Sequence, residues 1–443
     1  MPADVIDVQS FIDSRQVGRF QITVITLCAL VVLLDGLDTQ VIGYLGPALA
    51  RDWNLSRAAL GPVFSASLAG LMIGLLVIAP LADKFGRKWA IIGSAALFGC
   101  FTLLTATAQG VSGLMVYRFV AGIGLGGALP NALALTGEYC PGRRKATLVI
   151  IMFCGFSLGS ILGGGLTAAI ISQFGWRPVF LVGGVLPLAL IPVLVAKLPE
   201  SIHLLALKGG NPDKVRNLLQ RIDPEFSVPA DAQFKMAEPG AKGVPVAQLF
   251  RGGRGVGTIL LWIVFFMNLL DFFFLQNWLP TVFTDSGLST ETAVLATTLI
   301  SVGGIAAGIL SGPLMDRLGP YNVLAGLYIF GSVFVALVGM AAASSLSAVI
   351  ATTFAAGFCV SGGQKSVNAA AVLFYPTAIR STGVGWALGI GRVGSIIGPL
   401  AGGWLMTAGW STVAIFRLAA LPMLIAAAVI FAMGLRYAPP NEN

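Results

Sequence analysis

The chain has 443 residues, of which 56% are hydrophobic and only 10% are charged. Soluble globular domains carry about 25% charged residues, so that class is excluded. The formal net charge of +8 would suit a nucleic-acid partner by amount, but its placement along the chain argues against one.

The first 19 residues, with Asp4, Asp7, Asp13, Arg15 and Arg19, are polar and lack the basic–apolar–small pattern of a cleaved signal, so no targeting peptide is expected to be removed. Apolar spans long enough to cross ~30 Å of hydrocarbon follow. Backbone groups in lipid must be satisfied within the segment, so each span is predicted to be a helix. The spans run near 20–45, 58–81, 89–108, 112–136, 146–171, 177–197, 256–283, 292–314, 321–343, 346–374, 382–407 and 411–435. The one long polar interval, 198–254, holds Lys208, Lys214, Arg216, Arg221, Lys235, Lys242, Arg251 and Arg254. It predicts an N-terminal six-helix bundle over 1–197, a cytoplasmic linker over 198–254 and a C-terminal six-helix bundle over 255–443.

With both termini cytoplasmic, most of the 27 Lys and Arg fall in inside segments. The outside loops hold only Arg51, Arg57 and Arg177, and Arg118, Lys365, Arg392 and Arg417 lie within spans. This positive-inside asymmetry accounts for the net charge without nucleic acid and predicts a multi-pass protein of the inner membrane.

The first span reads VITLCALVVLLDGLDTQVIGYLGPALA and carries Asp35 and Asp38. A carboxylate at mid-bilayer costs roughly 2.5–3.5 kcal/mol on insertion scales, so two of them three residues apart require compensation. At i, i+3 they project from one helix face. Such a pair is expected to relay protons, the bland alternative being neutral acids hydrogen-bonded to neighbouring helices. Arg118 in span 4, always charged, demands a counter-ion, for which the span 1 aspartates stand at a similar depth.

Between spans 2 and 3, Asp83, Gly86, Arg87 and Lys88 form a tight turn expected to act as a conformational gate. Glu138, at the inner end of span 4, is expected to form the matching latch with Arg144 and Arg380. Gly122-Ile-Gly-Leu-Gly-Gly127 satisfies GxGxxG but lies within an apolar helix, so its glycines are read as close helix packing rather than dinucleotide binding.

In span 7 the stripe Asn268, Asp271, Phe274 and Trp278 combines polar groups with aromatic faces. A polar stripe cannot face lipid, so Phe274 and Trp278 are expected to border a cavity suited to a ring. Span 10 carries Ser361, Gln364, Lys365 and Asn368 on one side, and span 11 carries Arg392. Two mid-depth cations predict an anionic substrate, unless Asp271 neutralises one of them. Cys28, Cys100, Cys154 and Cys359 lie in apolar spans and Cys140 at a helix end, without metal-type spacing, so all read as free thiols and no cofactor or metal is expected. His203, the only histidine, is expected to be solvated.

An internal repeat links the halves. APLADKFGRK (79–88) answers GPLMDRLGPY (312–321), pairing Asp83 with Asp316 beside Arg317. Tyr139-Cys-Pro-Gly-Arg-Arg144 answers Tyr375-Pro-Thr-Ala-Ile-Arg380, and Gly159-Ser-Ile-Leu-Gly163 answers Gly394-Ser-Ile-Ile-Gly398. All three matches fall at an offset of about 235 positions, as a duplicated six-helix unit requires.

These residues carry a resemblance. The D-[RK]-x-G-R-[RK] loop at 83–88 and Arg118-Phe-Val-Ala-Gly-Ile-Gly-Leu-Gly126 resemble the signatures of the major facilitator superfamily. Asp35-Gly-Leu-Asp-Thr39, Gly-Gly-Ala-Leu-Pro-Asn at 126–131 and Gly383-Val-Gly-Trp-Ala-Leu-Gly-Ile-Gly-Arg392 resemble its aromatic acid:proton symporter family. The chain departs from the pattern at Ala79, where glycine is usual, and at Pro320-Tyr321, where a basic pair is usual. The resemblance implies an all-α integral membrane fold of two pseudo-symmetric bundles. It implies import of a benzoate- or hydroxybenzoate-type acid with protons by alternating access, by a monomer without a cofactor, and a functionally sensitive Arg118. An aliphatic acid such as a muconate-like dicarboxylate, or proton-driven export, are the alternatives. A membrane-embedded enzyme lacks a metal cluster or nucleophile elbow.

Overall fold

The computed structural model describes residues 5–208, 212–226, 233–235 and 246–437, so Lys242 of the linker lies outside the described residues. In chain order the elements are β1 (Val5–Asp7), α1 (Val8–Ser14), α2 (Arg19–Tyr44), α3 (Gly46–Asp52), α4 (Arg57–Phe85), α5 (Arg87–Thr105), α6 (Val111–Tyr139), α7 (Gly142–Phe174) and α8 (Arg177–Lys197). Then come α9 (Ile202–Lys208), α10 (Pro212–Ile222), β2 (Gln233–Lys235) and a 3-10 turn (Val246–Phe250). The second half comprises α11 (Gly255–Asp285), α12 (Thr290–Leu318), α13 (Pro320–Ala341), α14 (Leu346–Phe374), α15 (Thr377–Thr407) and α16 (Thr412–Tyr437).

Twelve of these helices, α2, α4 to α8 and α11 to α16, are long and apolar enough to cross a membrane. They fall on the twelve expected spans to within a few residues. The third runs over Arg87–Thr105, because Gly86 starts it two residues early and a turn at 106–110 ends it. Arg19, Tyr437 and the described parts of 198–254 gather at one end of the bundle, the linker end; Tyr44, Arg57 and Asp285 mark the distal end.

The two halves repeat the same pairings. In the first, α4 packs on α6, α2 on α7 and α5 on α8; in the second, α12 packs on α14, α11 on α15 and α13 on α16. The duplicated G-S-I-[LI]-G motif explains one pair of contacts. A side chain at Gly159 would strike the Leu33 backbone of α2, and one at Gly394 would strike the Phe266 backbone of α11. Only glycine lets the backbones approach so closely. Gly122 and Gly126 likewise lie on the backbone of α4, at Ser67 and Leu71, as the packing reading of GxGxxG expected. The loop repeat also recurs as geometry. Gly86 (φ 112°) and Gly319 (φ 82°) end α4 and α12 in the left-handed region, their N–H groups bonding Ala82 and Met315 carbonyls.

The 198–254 segment is not simply a polar tether. β1 pairs in parallel with β2, and α10 buries Val215, Leu218, Leu219 and Ile222, an i, i+3, i+4, i+7 apolar face. With Val8, Ile12, Leu198 and Ile202 these join the core that contains Val24 and Cys28 of α2. Each such aliphatic side chain contributes about 1.5–3 kcal/mol when fully buried. Arg15 Nε meets Asp223 at 2.8 Å, and Phe11 lies 4.8 Å from Phe226, which fasten α1 to the segment after α10. The result is a cap on the linker end of the first half.

Candidate functional site

Asp38 and Arg118 form the most buried charge pair among the described residues, at 1% and 0% side-chain exposure. Arg118 Nη2 donates to Asp38 Oδ2 at 2.8 Å and Nη1 to Oδ1 at 3.0 Å, with a further bond from Nη2 to the Asp38 carbonyl at 3.1 Å. Thr102 of α5 donates to Asp38 Oδ1 at 2.7 Å, and the guanidinium sits over the Phe180 ring of α8. A bidentate fork with added hydrogen bonds and a ring face compensates a buried guanidinium. Helices α2, α5, α6 and α8 are thereby tied through one charge cluster.

Asp35, one turn nearer the linker end, is equally buried but differently partnered. It accepts from Thr39 at 3.0 Å and is not bonded to Arg118. Its opposite charge is Arg392 of α15, which acts on it electrostatically from the other half of the molecule. The Arg392 side chain makes no hydrogen bond or ion pair among the described residues; its carbonyl accepts from Ser395 at 2.6 Å. The two aspartates, read from the sequence as one pair facing Arg118, are therefore divided: Asp38 serves the first half internally and Asp35 faces the second.

Lys365 of α14 donates to the Gly304 carbonyl of α12 at 2.6 Å. Gln364 Oε1 and Asn368 Oδ1 beside it are buried without a partner, as are both carboxyl oxygens of Asp271. Asp271 therefore neutralises neither Lys365 nor Arg392. Its helix is instead fixed by Asn268, whose amide donates to the Val360 carbonyl of α14 at 3.0 Å.

The expected cavity border at Phe274 and Trp278 is corrected. Trp278 is fully buried, donates from Nε1 to the Pro399 carbonyl at 3.0 Å and meets Phe64 of α4 edge-on, with centroids 5.2 Å apart. Phe274 packs on Phe416 of α16 at 5.5 Å. The stripe lies in helix seams because Gly398 and Gly402 of α15 leave room there, so Phe274 and Trp278 pack against protein and not an open cavity.

Trp278 belongs to a closure of the distal end. Ser65 of α4 donates to the Ile396 carbonyl at 2.8 Å, Ser301 of α12 to Ser160 of α7 at 2.8 Å, and Tyr44 shares Ser160 at 2.9 Å. Gln276 extends this chain to Ser301, and Gly43 and Gly46 lie against Asn277 and Thr281. At the rim Arg57 bonds Asp285 at 2.6 Å and Arg51 bonds Thr290 at 3.2 Å. Apart from Tyr44–Ser160 and Gln276–Ser301, which lie within one half each, these contacts cross between the halves in their distal parts. None of the described hydrogen bonds or ion pairs crosses at the linker end, where Asp316 and Arg317 are exposed. Among the described residues, the hydrogen bonds and ion pairs between the halves are distal ones.

At the linker end of the first half, the Gly86 turn is held by Glu200, whose Oε1 accepts from the N–H groups of Arg87 (2.7 Å) and Lys88 (3.2 Å). A carboxylate there satisfies the orphan donors of α5 and complements its dipole. Arg87 pairs with buried Glu138 and, at 3.7 Å, with Asp83; Glu138 also accepts from Ser201 at 2.6 Å. The expected latch of Glu138 with Arg144 and Arg380 is thus corrected. Arg144 is exposed and Arg380 bonds the Tyr375 carbonyl at 3.2 Å, while Arg87 is the partner that reaches Glu138. Lys88 donates to the Val195 carbonyl at 2.7 Å.

His203 is also not solvated: half-buried, it bonds Gln9 of α1 at 3.0 Å, and burial together with Arg87 and Lys145 pushes its pKa down to about 4. Glu200 and Ser201, the organisers of this cluster, were not singled out from sequence; the signal was Pro199-Glu-Ser201 directly after a span. All five cysteines are free, with Cys100 and Cys154 exposed. Among the described residues no group of three or more His, Cys, Asp or Glu comes together as a metal site would require.

Twelve membrane-spanning helices in two repeated halves, with buried charges between them, define a membrane transporter. The Major Facilitator Superfamily profile matches residues 28–327 and 261–443. The chain is 41% identical over 432 residues to the 4-hydroxybenzoate transporter PcaK of Pseudomonas putida, covering 97% of this chain and 96% of that protein. It is 41% identical over 435 residues to a gallate transporter of the same species, covering 98% and 96%. A solved bacterial homologue of the human lysosomal transporter Spinster, inward-facing and occupied, has the same fold, with TM-score 0.72, 15% identity and coverage of 95% and 98%. The chain belongs to the Major Facilitator Superfamily, and its kinship lies with the aromatic acid transporters within it.

Proposed function

We propose that the protein is a proton-coupled symporter importing an aromatic carboxylate of the benzoate or hydroxybenzoate class by alternating access between two rocking bundles, 1–197 and 255–443. The substrate class is supported by relatives named for 4-hydroxybenzoate and gallate transport. In this reading it lies in the inner membrane as a monomer with the basic linker end cytoplasmic, so the state described above is inward-facing.

The coupling is supported by Asp35 of the first half lying within electrostatic reach of Arg392 of the second, whose side chain has no hydrogen bond or ion pair among the described residues. A substrate carboxylate competes with Asp35 for that guanidinium. A proton on Asp35 removes the competitor, and by reciprocity an anion on Arg392 favours the protonated aspartate. Proton and acid therefore load together. Lys365, with Gln364 and Asn368, supplies the second anion-binding position on the same half, and Asp271 adds an acceptor deeper in the second half.

Asp38 and Arg118 hold α2 in place, so that the charge that changes is on Asp35. Distal closure uses Trp278, Phe274, Ser160 and Ser301. In the outward-facing state the linker-end gate (Asp83, Gly86, Arg87, Lys88, Glu138, Arg144, Asp316, Arg317 and Arg380) brings the halves together. The test is competition of labelled 4-hydroxybenzoate uptake into proteoliposomes under an inward proton gradient. Ring-bearing acids should compete and aliphatic dicarboxylates should not. Equal competition by a muconate-like diacid refutes the aromatic reading, and net extrusion refutes import.

A further inference from the structure

A cleft of about 390 Å³ opens where α2, α8 and α10 meet, lined by Arg19, Phe20, Thr23, Lys197 and Arg221. Three cations converge there and no acidic side chain lines it. The side chains of Arg19, Lys197 and Arg221 make no hydrogen bond or ion pair among the described residues; Arg221 lies 4.2 Å over the Phe20 ring, which orients its guanidinium. The acids near by are committed, Asp223 to Arg15 and Glu200 to the start of α5. Arg19 is the first residue of α2 and Lys197 the last of α8, so the cleft sits where the spans leave the hydrocarbon. One turn further into the membrane on each helix, Ile22 (53% exposed) and Val193 (39% exposed) present apolar surface outward.

We propose that this cleft binds the phosphate headgroup of an anionic phospholipid of the leaflet beside the linker, its acyl chains running along Ile22 and Val193. Guanidinium forks match phosphate oxygens in pairs, and a basic pocket at the ends of membrane helices is suited to an acidic headgroup. The site joins the amphipathic α10 to two membrane helices of the first half, so the bound lipid clamps the cap onto that bundle.

The test is native mass spectrometry of the purified full chain in detergent, titrated with phosphatidylglycerol, phosphatidylcholine or inorganic phosphate. Phosphatidylglycerol should give a retained one-lipid adduct. Its affinity should fall about fivefold for each cation removed through Arg19→Gln, Lys197→Gln and Arg221→Gln, while phosphatidylcholine adducts stay unchanged. The Arg19→Gln/Lys197→Gln variant leaves α10 intact and guards against a folding artefact. Equal retention of the two lipids, or undiminished phosphatidylglycerol binding in the triple variant, overturns the proposal. Displacement of the lipid by equimolar inorganic phosphate overturns it in favour of a free-anion site.

Discussion

Removing one member of the Asp38–Arg118 pair is the sharpest perturbation this architecture offers. Both side chains are essentially inaccessible, and the guanidinium spends three hydrogen bonds on Asp38 alone. Asp38→Asn leaves a full positive charge with no counter-ion, and Arg118→Leu leaves a carboxylate with only Thr102. Breaking a buried pair from one side costs about 3–5 kcal/mol, whereas replacing both partners is far milder. At about 2–4 °C per kcal/mol for a chain segment of this size, each single variant should melt roughly 6–20 °C lower. The double variant should recover most of that loss, giving a coupling energy of several kcal/mol. Thermal unfolding of the four proteins in one detergent measures it. Single variants within about 1 kcal/mol of the parent, or a double variant whose loss is the sum of the singles, would refute the reasoning.

Arg57 and Asp285 are 36% and 46% exposed, so their bond is worth only about 0.2–1 kcal/mol. Asp285→Asn should shift the balance toward the distally open state by no more than about fivefold, read as labelling of a distal-side cysteine, and should leave the melting temperature nearly unchanged. Arg392→Gln should abolish substrate binding, measured by equilibrium binding of labelled 4-hydroxybenzoate, while Arg392→Lys retains a weaker point-charge contact. His203, lowered from 6.5 to about 4 chiefly by burial, resists protonation when the cap is docked. The undocked histidine takes up a proton first, so docking is fully favoured above pH 6.5 and weakens as pH falls toward 4. Hydrogen exchange of α1 and α10 should rise over that window and lose the dependence in His203→Gln.

The membrane helices were legible because lipid leaves no ambiguity: long apolar runs are helices, and basic residues mark their ends. The repeat was legible because the same glycines serve the same backbone contacts twice, Gly159 on Leu33 and Gly394 on Phe266. Asp35, Asp38, Arg118 and Arg392 stood out because charge in an apolar span is rare. Their partnering was not legible, since helix spacing puts Asp35 and Asp38 on one face but does not say that Arg392, over 350 positions away, faces the first of them. The polar stripe that Phe274 and Trp278 share suggests open space beside them. Glycines on α15 decide instead that a seam closes over them. The cap was missed because net polarity hid the Val215, Leu218, Leu219 and Ile222 face of α10, a pattern present in the sequence.

Uphill uptake by an Asp35→Asn variant tests the coupling most directly. Asparagine keeps the shape and the Thr39 contact but cannot exchange a proton. In proteoliposomes with an inward proton gradient, the parent should concentrate labelled 4-hydroxybenzoate about tenfold per pH unit if one proton accompanies each monoanion. The variant should only equilibrate the acid, still exchanging it across the membrane. Concentration by the variant equal to the parent's would contradict the account, whatever becomes of the fold.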